Sequence, residues 1–134
     1  MKPNFFIIKK NSTLPKIKFP ITQHIMEKCG VTEEMLENCA VTFSMIEQET
    51  GIFRIANNEA ELIISRDREK EPYEVKYTLA YQFSIKETSK TGVYNSEFCV
   101  DFLDFSVGCG KIKFPINEEI IISIEDSITK TTVI

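Results

Sequence analysis

VKYTLAYQFSI, Val75–Ile85, sets Val75, Tyr77, Leu79, Tyr81, Phe83 and Ile85 at every second position. Lys76, Thr78, Ala80, Gln82 and Ser84 stand between them. Successive side chains of a strand point to opposite faces, so this period-two pattern predicts a long strand with one face on a core. A helix would need apolar residues at a spacing of 3.6, which the stretch lacks. SKTG (Ser89–Gly92) is a turn signal, and Tyr94, Phe98, Val100 and Phe102 resume the alternation with Ser96 as its small member. These two strands are expected to be hairpin partners in an antiparallel sheet.

Working outward, Ala40–Ile46 reads as a strand with Val41, Phe43 and Met45 on one face. EQETG (Glu47–Gly51) is a polar turn, and Ile52–Ala56 is expected to return as its hairpin partner. Ala60–Ser65 reads as a further short strand and RDREKEP (Arg66–Pro72) as a charged loop. Phe5–Ile8, Lys16–Ile21, Lys111–Ile116 and Ile120–Ile124 complete the set, with SITKTTVI (residues 127–134) a β-prone tail. Residues 22–38 depart from the pattern. Thr32 followed by Glu33 and Glu34 has the cap residue and first-turn acids of a short helix at Thr32–Glu37. A second turn is expected at Gln23–Lys28, with Gly30 between the two. About eight short strands with regular turns describe an all-β, antiparallel immunoglobulin-like β-sandwich with a helical insertion at residues 22–38. A closed barrel is the alternative. The 134 residues suit a single domain, 1–134, that buries about two-thirds of its unfolded surface.

The hexapeptide KIKFPI occurs twice, at Lys16–Ile21 and Lys111–Ile116, in unlike surroundings. A duplication of any length would carry more than six residues. In each copy the apolar side chains face one way and the lysines the other. Proline removes a ladder donor, so both copies are expected at sheet edges or strand ends.

The chemistry-bearing residues are sparse. A formal net charge of −4 without a basic stripe argues against nucleic acid. No apolar run is long enough to span a membrane, and MKPNFFIIKK lacks the features of a secretory signal. Cys29, Cys39, Cys99 and Cys109 do not form the close knuckles of a zinc site, and free, mostly buried thiols are expected. His24 is the single histidine, so a Cys–His pair would have to arise by tertiary placement. Glu33 and Glu34, Glu118 and Glu119, and Asp101 and Asp104 read as solvated surface. GCG (Gly108–Gly110) lacks the spacing of a phosphate cradle. No catalytic residue, metal ligand or cofactor is assigned. Most aromatics are in phase with the core, while Tyr73 and Phe105 sit in loops and are expected to meet a partner. Gly92 and Tyr94, in TGVY, resemble a tyrosine corner, in which the hydroxyl bonds back to the backbone.

Four stretches, NSTLPKIKFPI, CAVTFSMIEQETG, TGVYNSEFCVDF and KIKFPINEEIIISIEDS, together resemble the N-terminal β-sandwich module of phage baseplate upper proteins and related tail proteins. The resemblance runs from about Asn11 to Ser127, and TGVYNSEFCVDF is its strongest piece. Residues 22–38 are longer here than the family's loop, and the chain ends at Ile134 where family members continue into a fibre-binding region. The resemblance implies a non-enzymatic virion subunit, assembled in the host cytoplasm. Such an adaptor or decorating protein of tail, baseplate or neck would contact other virion proteins within a symmetric assembly. The tail, through Ile128, Val133 and Ile134, would dock by adding a strand to a partner. A carbohydrate-binding module is the alternative, with Tyr73 and Phe105 as sugar platforms.

Overall fold

The computed structural model describes residues 2–70, 74–102, 110–116 and 118–126. Eight strands and two short helices run in the order β1 (Lys2–Lys9), β2 (Ile17–Ile21), α1 (Gln23–Cys29), α2 (Glu33–Glu37), β3 (Cys39–Glu47), β4 (Phe53–Asp67), β5 (Glu74–Tyr81), β6 (Gly92–Phe102), β7 (Gly110–Phe114) and β8 (Glu118–Glu125). A 3-10 turn at Lys86–Thr88 lies between β5 and β6. The strands form one sheet in the order β1-β8-β6-β3-β4-β5-β2, with β7 also on β6.

Alternation explains the elements. In β6, Tyr94, Ser96, Phe98, Val100 and Phe102 are buried and the residues between them are not. β3 buries Val41, Phe43 and Met45 in the same way. β6 lies along β3 by one edge. Its other edge is shared: Gly92–Ser96 pairs with β8 and Phe98–Phe102 with β7.

β4 bends the sheet. Its first half pairs with β3 and its second half with β5. The β3–β4 register shifts twice, between Phe43 and Met45 and between Met45 and Ile46. Extra residues on one strand of an antiparallel pair kink it and increase its twist. Asn57, at φ 53°, occupies the first irregularity, its N–H donating to Ser44 Oγ at 2.9 Å. The sheet therefore curls around one core, and strands distant in the order meet inside it. Phe43 of β3 stacks on Tyr81 of β5 with ring centroids 4.4 Å apart. Phe19 of β2 lies 6.1 Å from Phe114 of β7, so one end of the strand order approaches the strand that branches from β6, without a ladder between β2 and β7 among the described residues. The sheet is nearly barrel-shaped.

The two hexapeptides line that closing edge, and the rings that meet are the same position of each copy. In β2 the pattern holds, with Ile17, Phe19 and Ile21 buried and Lys18 exposed. In the second copy Phe114 is buried but Ile116 is exposed, because β7 ends at Phe114 and the alternation ends with it.

Several expectations need correction. The sheet is mixed, because β1 runs parallel to β8 in register from Lys2↔Glu118 to Lys9↔Glu125. β5 and β6 are not hairpin partners: β5 pairs with β4 and β2, and β6 with β3, β7 and β8. The period-two pattern continues to Ile85, but β5 stops at Tyr81. Ser84 and Glu87 form a reciprocal cap: Ser84 N–H donates to Glu87 Oε1 at 2.8 Å, and Glu87 N–H donates to Ser84 Oγ at 3.3 Å. That local pair turns the chain out of the strand. Phe83 is still buried, whereas Ile85 is exposed. The expected strands Ile52–Ala56 and Ala60–Ser65 are not separate: one strand, β4, runs through both from Phe53, with Ile52 just before it.

The helical insertion matches its expectation closely. Thr22 Oγ1 accepts from Ile25 N–H and Thr32 Oγ1 from Met35 N–H, each at 3.2 Å. Gly30, at φ 71°, ends α1 in the left-handed region that glycine adopts without penalty. Met26, Val31 and Leu36 anchor the insertion in the core.

At the β6 corner, Tyr94 is fully buried and its hydroxyl donates to the Lys90 carbonyl at 2.9 Å. Gly92, at φ 151°, lies against the Tyr94 ring, where an added Cβ would come 3.5 Å from it. Replacing Tyr94 by Phe removes a buried donor and should cost about 1–2 kcal/mol in urea unfolding with an unchanged fold; a variant as stable as the parent would show that the corner is not held by this bond. At the bulge, Asn57→Gly should stay within about 1 kcal/mol of the parent, whereas Asn57→Val, a β-branched residue at positive φ, should lose about 1–2 kcal/mol or more.

Candidate interaction surface

The outer face of the β1-β8-β6-β3-β4 layer is the least ordinary surface of the molecule. Ladder register places Phe5 beside Ile121, Ile121 beside Asn95, Asn95 beside Ile46 and Ile46 beside Phe53. A second row sets Ile7 beside Ser123 and Ser123 beside Val93. It continues to Gln48, whose N–H donates to the Val93 carbonyl at 3.0 Å. Inward neighbours on these strands, Ile8, Met45, Tyr94, Ile120 and Ile122, are buried, so alternation puts both rows on the outside. Phe5 is 67 % exposed, Ile7 61 %, Phe53 58 % and Val93 43 %. Single exposed hydrophobics are ordinary, but a contiguous patch across five strands marks a contact surface.

The rows contain no charged side chain. Two of their polar members bond one another, Gln48 Nε2 donating to Asn95 Oδ1 at 2.7 Å. Charges begin at the borders. Lys9 and Glu125 stand 3.9 Å apart at one, and Lys113 and Glu97 stand 3.5 Å apart at the other. An apolar centre with a polar rim is the usual anatomy of a protein–protein interface.

Other groupings are better explained by the fold. Arg54 donates through Nε to the Glu87 carbonyl at 3.2 Å, through Nη2 to Ser89 Oγ at 2.7 Å, and also to the Lys86 carbonyl. Glu87 Oε2 accepts from the Tyr81 hydroxyl at 2.7 Å and from Asn58 Nδ2 at 2.8 Å. Thr88, fully buried, donates to the Ser12 carbonyl at 2.8 Å. These bonds clamp the 3-10 turn against the sheet, and the partners of the clamp are internal. Burial, with the Glu87 carboxylate beside it, pushes the Tyr81 phenol up to about 12.

His24 and Cys29 both border a small depression of about 180 Å³ floored by Phe19, Ile25, Phe114 and Ile116. It lies where the two hexapeptides meet α1. No hydrogen bond joins the two side chains. Cys29, Cys39 and Cys99 are half-buried free thiols. The Cys39 thiol donates to the Leu36 carbonyl at 3.2 Å, and burial pushes its pKa up, the opposite of an activated nucleophile. Among the described residues no three His, Cys, Asp or Glu side chains converge as metal ligands. No described helix is long and apolar enough to cross a membrane.

The contact residues expected from sequence, Tyr73, Phe105, Ile128, Val133 and Ile134, all lie outside the described residues, as do Asp104, Gly108 and Cys109. Glu33, Glu34 and Glu119 are exposed, while Glu118 and Asp101 are partly buried. Asp101 lies 4.0 Å from Lys111, and Glu118 accepts from Asn4 Nδ2 at 3.1 Å. Sequence reasoning did not single out Phe5, Ile7, Phe53 or Val93. A signal existed in NFFII: four consecutive apolar residues exceed what a half-buried strand needs, and the surplus falls on its outer face.

No family model, no curated protein and no solved structure matches the chain.

The Tyr81 shift has a pH consequence. A phenol whose folded pKa exceeds the ordinary value of 10 stays protonated in the native state while the unfolded chain has ionised. Its stabilising contribution is complete below pH 10 and is lost as pH rises toward 12. Urea unfolding should thus be flat in alkaline buffer up to about pH 9, fall between about pH 10 and 12, and fall less steeply in Tyr81→Phe. An unchanged slope in that variant would assign the effect elsewhere.

Proposed function

We propose that this chain is a non-enzymatic structural protein of a bacteriophage virion, an adaptor or decorating subunit of tail, baseplate or neck that docks on neighbouring subunits. The apolar outer face carries the proposal. Its four most exposed side chains present on the order of 400 Å² of apolar surface, the size of a patch that is often functional. The surface stands on five hydrogen-bonded strands over a full core, so little conformational freedom remains to be lost on docking. The four stretches that resemble phage baseplate modules supply the virion context. The Tyr94 corner supports reading the curled mixed sheet as a variant of the immunoglobulin-like sandwich.

The test is incorporation into particles made in the phage's host. A chain carrying Phe5→Glu and Phe53→Glu should fold, accumulate normally and be absent from purified virions, and so should one lacking residues 127–134. Normal incorporation of the double-Glu chain would remove the apolar face from the docking reading. Normal incorporation of the shortened chain would remove the tail. Titration of the intact protein against a glycan panel separates the carbohydrate-binding alternative, which requires a response that Tyr73→Ala or Phe105→Ala abolishes.

A further inference from the structure

We infer that the apolar outer face is occupied by a second copy of this chain, packed face to face about a two-fold axis that runs along β6. The inference rests on the reading of that face as a docking surface and names its partner.

The first argument is the order of side chains across the sheet. The row Phe5, Ile121, Asn95, Ile46, Phe53 reads the same from either end: Phe, Ile, Asn, Ile, Phe. In the second row, Ile7, Ser123, Val93, Gln48, the polar Ser123 and Gln48 likewise flank a single centre, Val93. β6 supplies the centre of both rows. A two-fold contact is isologous and requires a surface complementary to itself. Rotation about an axis along β6 in the plane of contact lays β1 over the partner's β4. Phe5 then meets the partner's Phe53, Ile121 meets the partner's Ile46, and Asn95 meets its own equivalent. Large ends meet large ends at both edges of the interface.

Charge gives the second argument. The two rows hold no charged residue, so the face offers nothing for an oppositely charged partner to recognise. The formal charge of −4 sits elsewhere on the molecule and on the rim. The central Gln48–Asn95 bond is made within one copy and satisfies one donor and one acceptor of these amides before contact. Size is the third. Five strands about 4.8 Å apart make a face about 20 Å wide, and packed sheets lie about 10 Å apart with their strands within about 30°. The exposed apolar area, with Ile46, Ile121 and the rim, approaches the ~800 Å² per partner of a standard stable interface.

Sedimentation velocity of the full chain, from about 1 to about 200 µM, should show a monomer–dimer equilibrium populated within that range. Phe5→Glu and Phe53→Glu should each weaken it by about a hundredfold or more, by placing an unpaired carboxylate in the apolar contact. Phe5→Glu combined with Phe53→Lys puts opposite charges over one another at both edges and should regain much of the lost affinity at low salt. Phe5→Glu combined with Phe53→Glu should not. That contrast is specific to the β1-over-β4 arrangement. Circular dichroism and thermal melting check that each variant folds. Should Phe5→Glu fail to fold, Val93→Lys, which lies on the axis and would face its own equivalent, gives the same reading.

A wild-type chain that is monomeric at the highest concentration overturns the inference. So does a dimer that survives both single Glu variants. A chain lacking residues 127–134 that dimerises when the full chain does not also overturns it, by showing that the chain's own tail covers the face. An intact dimer with no incorporation into virions would count against the proposed function and leave this inference standing.

Discussion

The bend in β4 is the constraint on which the rest of the structure depends. One strand of fifteen residues, Phe53–Asp67, pairs first with β3 and then with β5. A regular ladder would keep it in one layer. Two register irregularities around Ser44 and Asn57 turn it, and the turn carries β5 and β2 over the inner face of β3, β6 and β8. The stacking of Phe43 on Tyr81 and the approach of Phe19 to Phe114 follow from that curl. Arg54, the residue beside the second shift, bonds into the Lys86–Ser89 turn and locks the bend from outside.

Curling one sheet leaves two different surfaces to resolve. The concave face is filled by side chains from all eight strands and both helices. The convex face of the β1-β8-β6-β3-β4 layer has no element of its own packed on it among the described residues, yet it carries Phe5, Ile7, Phe53 and Val93. Sheets that face water on one side normally show polar residues there. The departure from that rule is confined to two rows and bounded by ion pairs, which is why it reads as a built contact rather than a scatter of exposed hydrophobics.

Much of the fold was legible because most strands bury one face. Period-two alternation in β2, β3, β5 and β6 identifies the buried residues directly, and the threonine caps with Gly30 place α1 and α2 to within a residue. Strand pairing was not legible in the same way. β5 and β6 are adjacent in sequence and similarly patterned, but the Ser84–Glu87 cap sends the chain away before a hairpin can form. The parallel pairing of β1 with β8 joins residues more than a hundred positions apart, and no local signal announces it. The interaction surface was hidden for the same reason. Its rows are assembled from five strands, and no two of its most exposed residues, Phe5, Ile7, Phe53 and Val93, are neighbours in the chain.

The repeated hexapeptide shows where the division falls. The sequence by itself determined that each KIKFPI is a short edge segment burying its Phe, because side-chain alternation and the missing proline donor are properties of the six residues alone. Tertiary structure alone decided what the two copies do. Pro20 stays within β2 opposite Thr78, whereas Pro115 falls just after β7 and leaves Ile116 exposed. The two phenylalanines meet at 6.1 Å because the bend in β4 brings the β2 edge over to β7, and that closure depends on pairings between distant segments that no six-residue pattern encodes.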